Sequence, residues 1–115
     1  MRLFRRRNRN PSAEPTRTGR REIAEGERHL EEFAASRRGV EAYVEPATAV
    51  TATTVMLIAS DGEWTRRRVP SPDAARALAG RLGIPLYEAA VVGYPQRMRE
   101  WNRRRAQERK DLLGD

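Results

Sequence analysis

Cysteine is absent from the 115 residues of this chain. Disulfide bonds, thiolate catalysis and cysteine-bound zinc or iron–sulfur centres are therefore excluded. The chain also has no apolar run of membrane-spanning length, and its longest run, residues 55–59, has the length of a β-strand. The opening MRLFRRRNRNPS is basic but has no hydrophobic stretch after it. We therefore expect no secretory signal, no membrane partner and a cytoplasmic protein.

Lysine is almost as scarce, with Lys110 alone against 22 arginines. The codon usage of a GC-rich genome accounts for part of this bias, so arginine content by itself is weak evidence for phosphate binding. The distribution of charge is more informative. Residues 1–21 sum to +7, residues 22–95 to −3 and residues 96–115 to +3. The surplus positive charge thus lies at the two ends, where it favours acidic partners.

Hydrophobic residues make up 38% of the chain, enough for the core of one small domain. Residues 1–19 lack apolar periodicity, which predicts a disordered basic tail. We expect a single α+β domain over residues 20–109, with a compact core at 39–99, and a C-terminal tail at 110–115. Because a domain of this size buries only about 60–65% of its unfolded surface, a partner or self-association would add stability.

A β-hairpin is predicted over residues 50–69, and the other predicted elements are arranged around it. Asp61-Gly62 is the dipeptide that best tolerates the two positive φ angles of a two-residue type I′ turn. That turn pairs Ala59 with Trp64 and Leu57 with Arg66, and it places all four side chains on one face of the sheet. The first strand is apolar on both faces, as expected of a central strand, whereas the arginines of the second favour an edge.

Helix and strand signals flank the hairpin. A helix is predicted over residues 20–38, capped by Thr18 and ended by Gly39, and a strand follows at 40–45. Ser71, Pro72 and Asp73 begin a second helix that Gly83 ends. A strand at 84–89 and a last helix after Pro95 complete the chain.

The resulting order, αβββαβα, predicts an α+β fold with one mixed sheet of about four strands and flanking helices. Its strand–helix–strand unit predicts a right-handed crossover that makes strands 63–69 and 84–89 parallel.

Catalytic and metal motifs are weak. Glu25, His29 and Glu32 have a spacing that places three possible metal ligands on one helix face, but a solvated acidic face explains the same pattern. No glycine-rich elbow surrounds a serine, and no glycine-rich loop suits a phosphate. We therefore predict no catalytic residue, no metal and no cofactor.

Two clusters combine arginines with aromatic rings, a combination that suits phosphate contacts and base stacking. In the first, Trp64 and Arg66 share a face and can stack. In the second, Tyr94, Met98 and Trp101 form a narrow line of side chains by which the last helix would pack on the domain, and arginines lie on both sides of this line. The alternative is structural, with arginine stems covering apolar surface and both indoles in the core. The predicted nucleic-acid-binding residues are Trp64, Arg66, Arg67, Arg68, Arg97, Arg99, Arg103, Arg104 and Arg105.

The predicted topology resembles the restriction-endonuclease core, and Asp61 and Glu63 lie near the place where that fold holds its metal carboxylates. The acidic-x-Lys pattern of those nucleases is missing here, so the likeness implies at most an inactive relative that still touches nucleic acid.

Three stretches, GVEAYVEPATAVTATTV, DGEWTRRRV and GIPLYEAAVVGYPQRMR, cover about half of the chain. In these stretches the sequence resembles a family of small proteins from GC-rich bacteria, some of which are labelled oxidoreductases. The resemblance implies one compact domain at residues 39–99 and carries no catalytic residue over to this chain.

These patterns favour a small, basic, non-catalytic module that binds nucleic acid, RNA more than DNA, through its arginine-rich ends and the two clusters. One alternative is a protein-interaction or self-assembly module, in which the arginines meet an acidic protein surface or a second copy forms a homodimer. Another is a small enzyme, either an oxidoreductase or a degenerate nuclease.

Overall fold

The computed structural model describes residues 17–114, and the α+β prediction is confirmed there, with a short additional helix before the last one. Most of the predicted N-terminal tail, residues 1–16, and Asp115 lie outside the described residues. Residues 17–19 are helical, so Thr18 lies inside the first helix and does not cap it. The elements are α1 (Arg17–Ser36), β1 (Glu41–Glu45), β2 (Thr54–Ile58), β3 (Trp64–Arg68), α2 (Pro72–Leu82), β4 (Leu86–Glu88), α3 (Ala89–Val92) and α4 (Gln96–Leu112).

The four strands form one mixed sheet in the order β3-β2-β1-β4. Neighbours β1, β2 and β3 are antiparallel, and β4 runs parallel to β1. As predicted, β2 is internal and the arginine-bearing β3 lies at an edge. Strands β3 and β4 do run parallel, but β2 and β1 separate them, so the connection through α2 crosses the whole sheet.

The hairpin register differs from the prediction by one residue. The Ala59 N–H donates to the Glu63 carbonyl at 2.8 Å, so the loop has three residues rather than two. Only Gly62 has a positive φ in it, at 95°, and Asp61 instead accepts the Glu63 N–H at 2.9 Å. This is the three-residue hairpin that ends on a left-handed glycine, and it needs no second positive φ.

The shift changes which side chains share a face. Ile58 pairs with Trp64 and Met56 with Arg66, so Trp64 and Arg66 lie with the even-numbered residues of β2 and not with Leu57. A slip of one residue always exchanges the two faces of a strand, because side chains alternate.

Both faces of the sheet are covered. Leu30 of α1 and Leu78 of α2 pack with Val55 and Leu57 on one face. Met56 and Ile58 form a smaller core on the opposite face, which we call the α4 face. The α4 face also buries Tyr43 and Ala89, and Trp64, Tyr94 and Met98 pack against it.

Helix α2 follows its sequence signals closely. The Ser71 hydroxyl accepts the Ala74 N–H at 3.1 Å, Pro72 is the first helical residue, and Gly83 ends the helix with φ 69°. None of the helices between residues 17 and 114 combines the length and the apolar character that a membrane crossing requires.

Candidate nucleic-acid interface

The first predicted cluster is divided between the two faces of β3. Trp64, Arg66 and Arg68 lie on the α4 face, whereas Arg67 lies under α1. A Cβ at Gly26 of α1 would lie 3.3 Å from the Cβ of Arg67, so the arginine stem covers that helix. Arg68 is exposed at the sheet edge. The structure therefore does not bring Arg67 together with the other members.

The Trp64 ring contacts both the sheet and α4, and it holds the helix against the sheet. It is half-buried against the α4-face core, and its indole N–H donates to the Asn102 side-chain oxygen at 2.8 Å. The Arg66 guanidinium lies 5.4 Å from the ring centroid, which confirms the predicted cation–ring contact. The ring thus has a structural role already.

Glu45 is the centre of a polar cluster on β1. Arg66 donates two hydrogen bonds to its carboxylate, at 2.8 and 3.0 Å, Thr54 donates a third at 2.5 Å and the Tyr94 hydroxyl a fourth. A carboxylate has about four acceptor positions, so this one is saturated. Burial by itself would raise the pKa of Glu45, but the hydrogen bonds from Arg66, Thr54 and Tyr94 outweigh it and hold the pKa below its usual range.

Glu41, four residues earlier on the same strand, has a similar arrangement. Arg97 of α4 donates to it at 2.7 Å and the Tyr43 hydroxyl at 3.0 Å. The Arg97 hydrogen bond is the main reason why the pKa of Glu41 is lowered. Burial, together with the bond to Glu41, raises the pKa of Tyr43 to about 12. Arg97 also donates to the Ala59 carbonyl at 2.9 Å, so it is an anchor of α4.

An open groove of about 510 Å³ lies beside the Glu45 cluster. Glu45, Arg66 and Tyr94 contribute its charged and hydroxyl groups, and the Thr48 and Thr51 hydroxyls in its wall bond to each other at 2.7 Å. Since Glu45 is a saturated, ionised acceptor, the groove offers no carboxylate free to act as a base.

The second predicted cluster lies on α4, which has no buried residue. The helix contacts the hairpin turn, where Arg104 donates to the Asp61 carbonyl at 3.1 Å. The half-buried Trp101 ring is covered by Arg104 and Arg105, whose guanidinium carbons lie 5.9 and 5.3 Å from its centroid. Arg97, Arg104 and Trp101 therefore face the body of the protein.

Three cations of α4 face away from the sheet: Arg99, Arg103 and Lys110, which we call the outward face. Helical geometry places residues 99, 103 and 110 roughly opposite the docked Met98 and Trp101. All three are exposed, and within residues 17–114 their side chains form no ion pair, Arg99 donating only to the Tyr94 carbonyl at 3.0 Å.

Sequence reasoning missed Lys110, because the domain was predicted to end at residue 109. Helical spacing from Arg103 would have found it, since residues seven apart lie on one side of a helix. Asn102, Glu41 and Glu45 were also missed, since their partners are distant in the chain.

The carboxylates and the histidine considered for metal or nuclease chemistry have other partners. His29 shares a hydrogen bond of 2.7 Å with Thr65, and burial and then Arg67 lower its pKa. Asp61 caps the hairpin turn, and Glu63 forms an ion pair with Arg37 at 2.7 Å. In the part of the chain that the structure describes, no three histidine or carboxylate side chains are grouped to hold a metal ion.

The geometry therefore separates two kinds of arginine. Arg66, although exposed, and the half-buried Arg97 each pair with a half-buried carboxylate, whereas the outward face of α4 presents cations without an ion pair to solvent. Comparisons of the chain with protein-family models, curated proteins and solved structures find no match.

Proposed function

We propose that this protein is a non-catalytic module that binds nucleic acid, RNA more than DNA, through the outward face of α4. The observation that carries the proposal is the exposure of Arg99, Arg103 and Lys110 on a helix that buries none of its residues. Residues 96–112 hold seven basic and three acidic residues, a sum of +4, next to a body, residues 17–95, whose charges sum to zero.

The spacing of these cations suits a phosphate backbone. Arg99 and Arg103 are about 6 Å apart along the helix axis, and Lys110 lies about 10 Å further on. Specific reading of DNA requires side chains that contact base edges in a groove. The outward face offers cations, which contact phosphates, so it favours RNA bound by its backbone over a specific DNA site.

The test compares two variants that lose the same charge. R99Q/R103Q/K110Q removes the outward face, and R28Q/R38Q/R76Q removes three exposed arginines from elsewhere on the fold. We expect the first to weaken binding of a labelled mixed-sequence RNA by about tenfold or more at low salt, and the second by less than about threefold. Fluorescence anisotropy measures both.

Salt dependence provides a second readout. Release of counterions from three phosphate contacts contributes a slope of about −2 to −3 to a plot of log affinity against log salt, and R99Q/R103Q/K110Q should lose that part. Equal loss of affinity in the two variants, or wild-type binding that is independent of salt, contradicts the proposal.

A second candidate function is self-association at the β4 edge, with a second copy of the chain as the occupant. Tyr87 on the edge strand β4 is 38% exposed, and Val91 and Val92 on α3, which follows it directly, are 75% and 55% exposed. Residues 86–92 carry a single charge, Glu88, so two copies meet there with little repulsion although the chain is strongly basic. Tyr87 is also the last in a row of aromatic rings, and its ring centroid lies 5.4 Å from that of Tyr43. A two-fold axis at the β4 edge would extend this row of rings into the second copy.

Sedimentation velocity tests this candidate. We expect the wild type to form a dimer as concentration rises and V91S/V92S to remain monomeric. The control is L112S/L113S, which removes two exposed leucines at the end of α4 and leaves the dimer intact. A wild type that stays monomeric over the same concentrations contradicts self-association.

A further inference from the structure

Resting on the function proposed above, we infer that α4 binds double-helical RNA rather than single-stranded RNA, and contacts its phosphates without stacking on its bases. Among the described residues, the aromatic rings near α4 are already engaged, whereas the cations of its outward face are free of ion pairs.

Proteins that bind single strands present aromatic rings on which unpaired bases stack. Both tryptophans of this protein are engaged instead. Trp64 is held by Asn102 and packs into the α4-face core. Trp101 has two guanidinium groups within 6 Å of its ring centroid, and its Cβ lies against the hairpin turn at Gly62. A base would have to displace these contacts.

The remaining rings between residues 17 and 114 do not provide a stacking surface near the outward face. Phe33 and Tyr43 are buried, and the half-buried Tyr94 donates its hydroxyl to Glu45. Tyr87 is the exposed exception among these residues, and it lies on β4 against Tyr43. The free groups of α4 are therefore cations without accessible rings.

The arrangement of those cations favours a rigid partner. Helix α4 has 17 residues, about 25 Å of continuous helix, so its charges have fixed separations. The phosphates of a double helix also have fixed separations, whereas a single strand must lose conformational entropy to match them. Double-stranded RNA is in any case recognised mainly through its shape and backbone.

The experiment uses the full chain with two labelled RNA probes of equal length, one duplex and one unstructured single strand. We expect the duplex to bind more tightly by about tenfold or more, beyond the few-fold preference that its doubled phosphates and higher charge density supply, with no change in tryptophan emission. The preference should fall to that few-fold level in R99Q/R103Q/K110Q and persist in R28Q/R38Q/R76Q.

The outcomes separate the inference from the function on which it rests. If the single strand binds as tightly as the duplex, or if it quenches tryptophan emission, the inference is wrong and nucleic-acid binding stands. If neither probe binds at low salt, both are wrong. A duplex preference that survives equally in R99Q/R103Q/K110Q assigns it to another part of the chain, and it also overturns the inference.

Discussion

Replacing Gly62 by alanine is expected to lower the free energy of unfolding by about 3 kcal/mol or more, because backbone strain and a backbone clash add together. The residue has a φ of 95°, which side chains rarely adopt. A Cβ there would lie 2.1 Å from the Arg97 carbonyl oxygen and 2.7 Å from its carbon. Either the hairpin turn or α4 must move, and urea denaturation measures the cost.

Two other glycines separate the cost of backbone strain from the cost of the clash. Gly83 has a φ of 69° but open space around its Cβ position, so Gly83→Ala should cost only about 1 kcal/mol, the strain alone. Gly80 lies inside α2 with open space, and Gly80→Ala should stabilise the protein by about 1 kcal/mol. If Gly62→Ala costs no more than Gly83→Ala, α4 does not rest on the turn as described.

Replacing Glu45 by glutamine is expected to cost about 2 kcal/mol of stability, because charged hydrogen bonds are strong and their donors are left poorly paired. Arg66, Thr54 and Tyr94 all donate to this carboxylate, and its side chain is only 18% exposed. The amide of glutamine keeps one acceptor but directs an NH₂ group at the remaining donors.

A surface pair supplies the control for Glu45→Gln. Asp73 accepts a hydrogen bond from Arg76 on α2, but its side chain is 86% exposed, so Asp73→Asn should cost less than about 1 kcal/mol, including the lost interaction with the helix dipole. A double-mutant cycle of Glu45→Gln with Arg66→Gln should give a coupling energy of about 1 kcal/mol or more. A coupling energy near zero would show that Glu45 and Arg66 do not stabilise each other as described.

The free energy of unfolding should fall as the pH is lowered into the acid range. Because the pKa of Glu45 is lower in the folded protein than in the unfolded chain, its contribution is complete above the usual carboxylate range and is lost as pH falls through the folded-state pKa. The wild type should therefore lose stability in acid, and Glu45→Gln should lose less. Some acid sensitivity remains in the variant, because the pKa of Glu41 is lowered too.

Local rules predicted much of the fold. Ser71, Pro72 and Gly83 each specify one end of α2 through chemistry within a few residues, and the structure places them as predicted. Asp61-Gly62 identified the hairpin, but it suits loops of two and of three residues. The apolar residues of β2 could not decide between the two registers, because that strand is buried on both faces.

The candidate site was harder to predict because its essential contacts join distant residues. The Trp64–Arg66 contact spans two residues on one strand and follows from alternation. The partners of Arg66 and Arg97 are 21 and 56 residues away, so nothing local shows that their charges are neutralised. Sequence alone therefore grouped arginines that pair with carboxylates and arginines that do not, and only the tertiary contacts separate them.

The uneven charge of the molecule also affects how it meets a partner. Residues 17–95 sum to zero, because the three arginines at the start of α1 offset the −3 of residues 22–95, whereas the segment that forms α4 sums to +4. The net positive charge of the described residues is therefore concentrated on that helix. A polyanion approaching from solution is attracted by the helix more than by the neutral body, which orients the encounter before any contact forms. Collisions that begin elsewhere are thereby rotated towards α4, and this steering weakens as added ions shorten the Debye length.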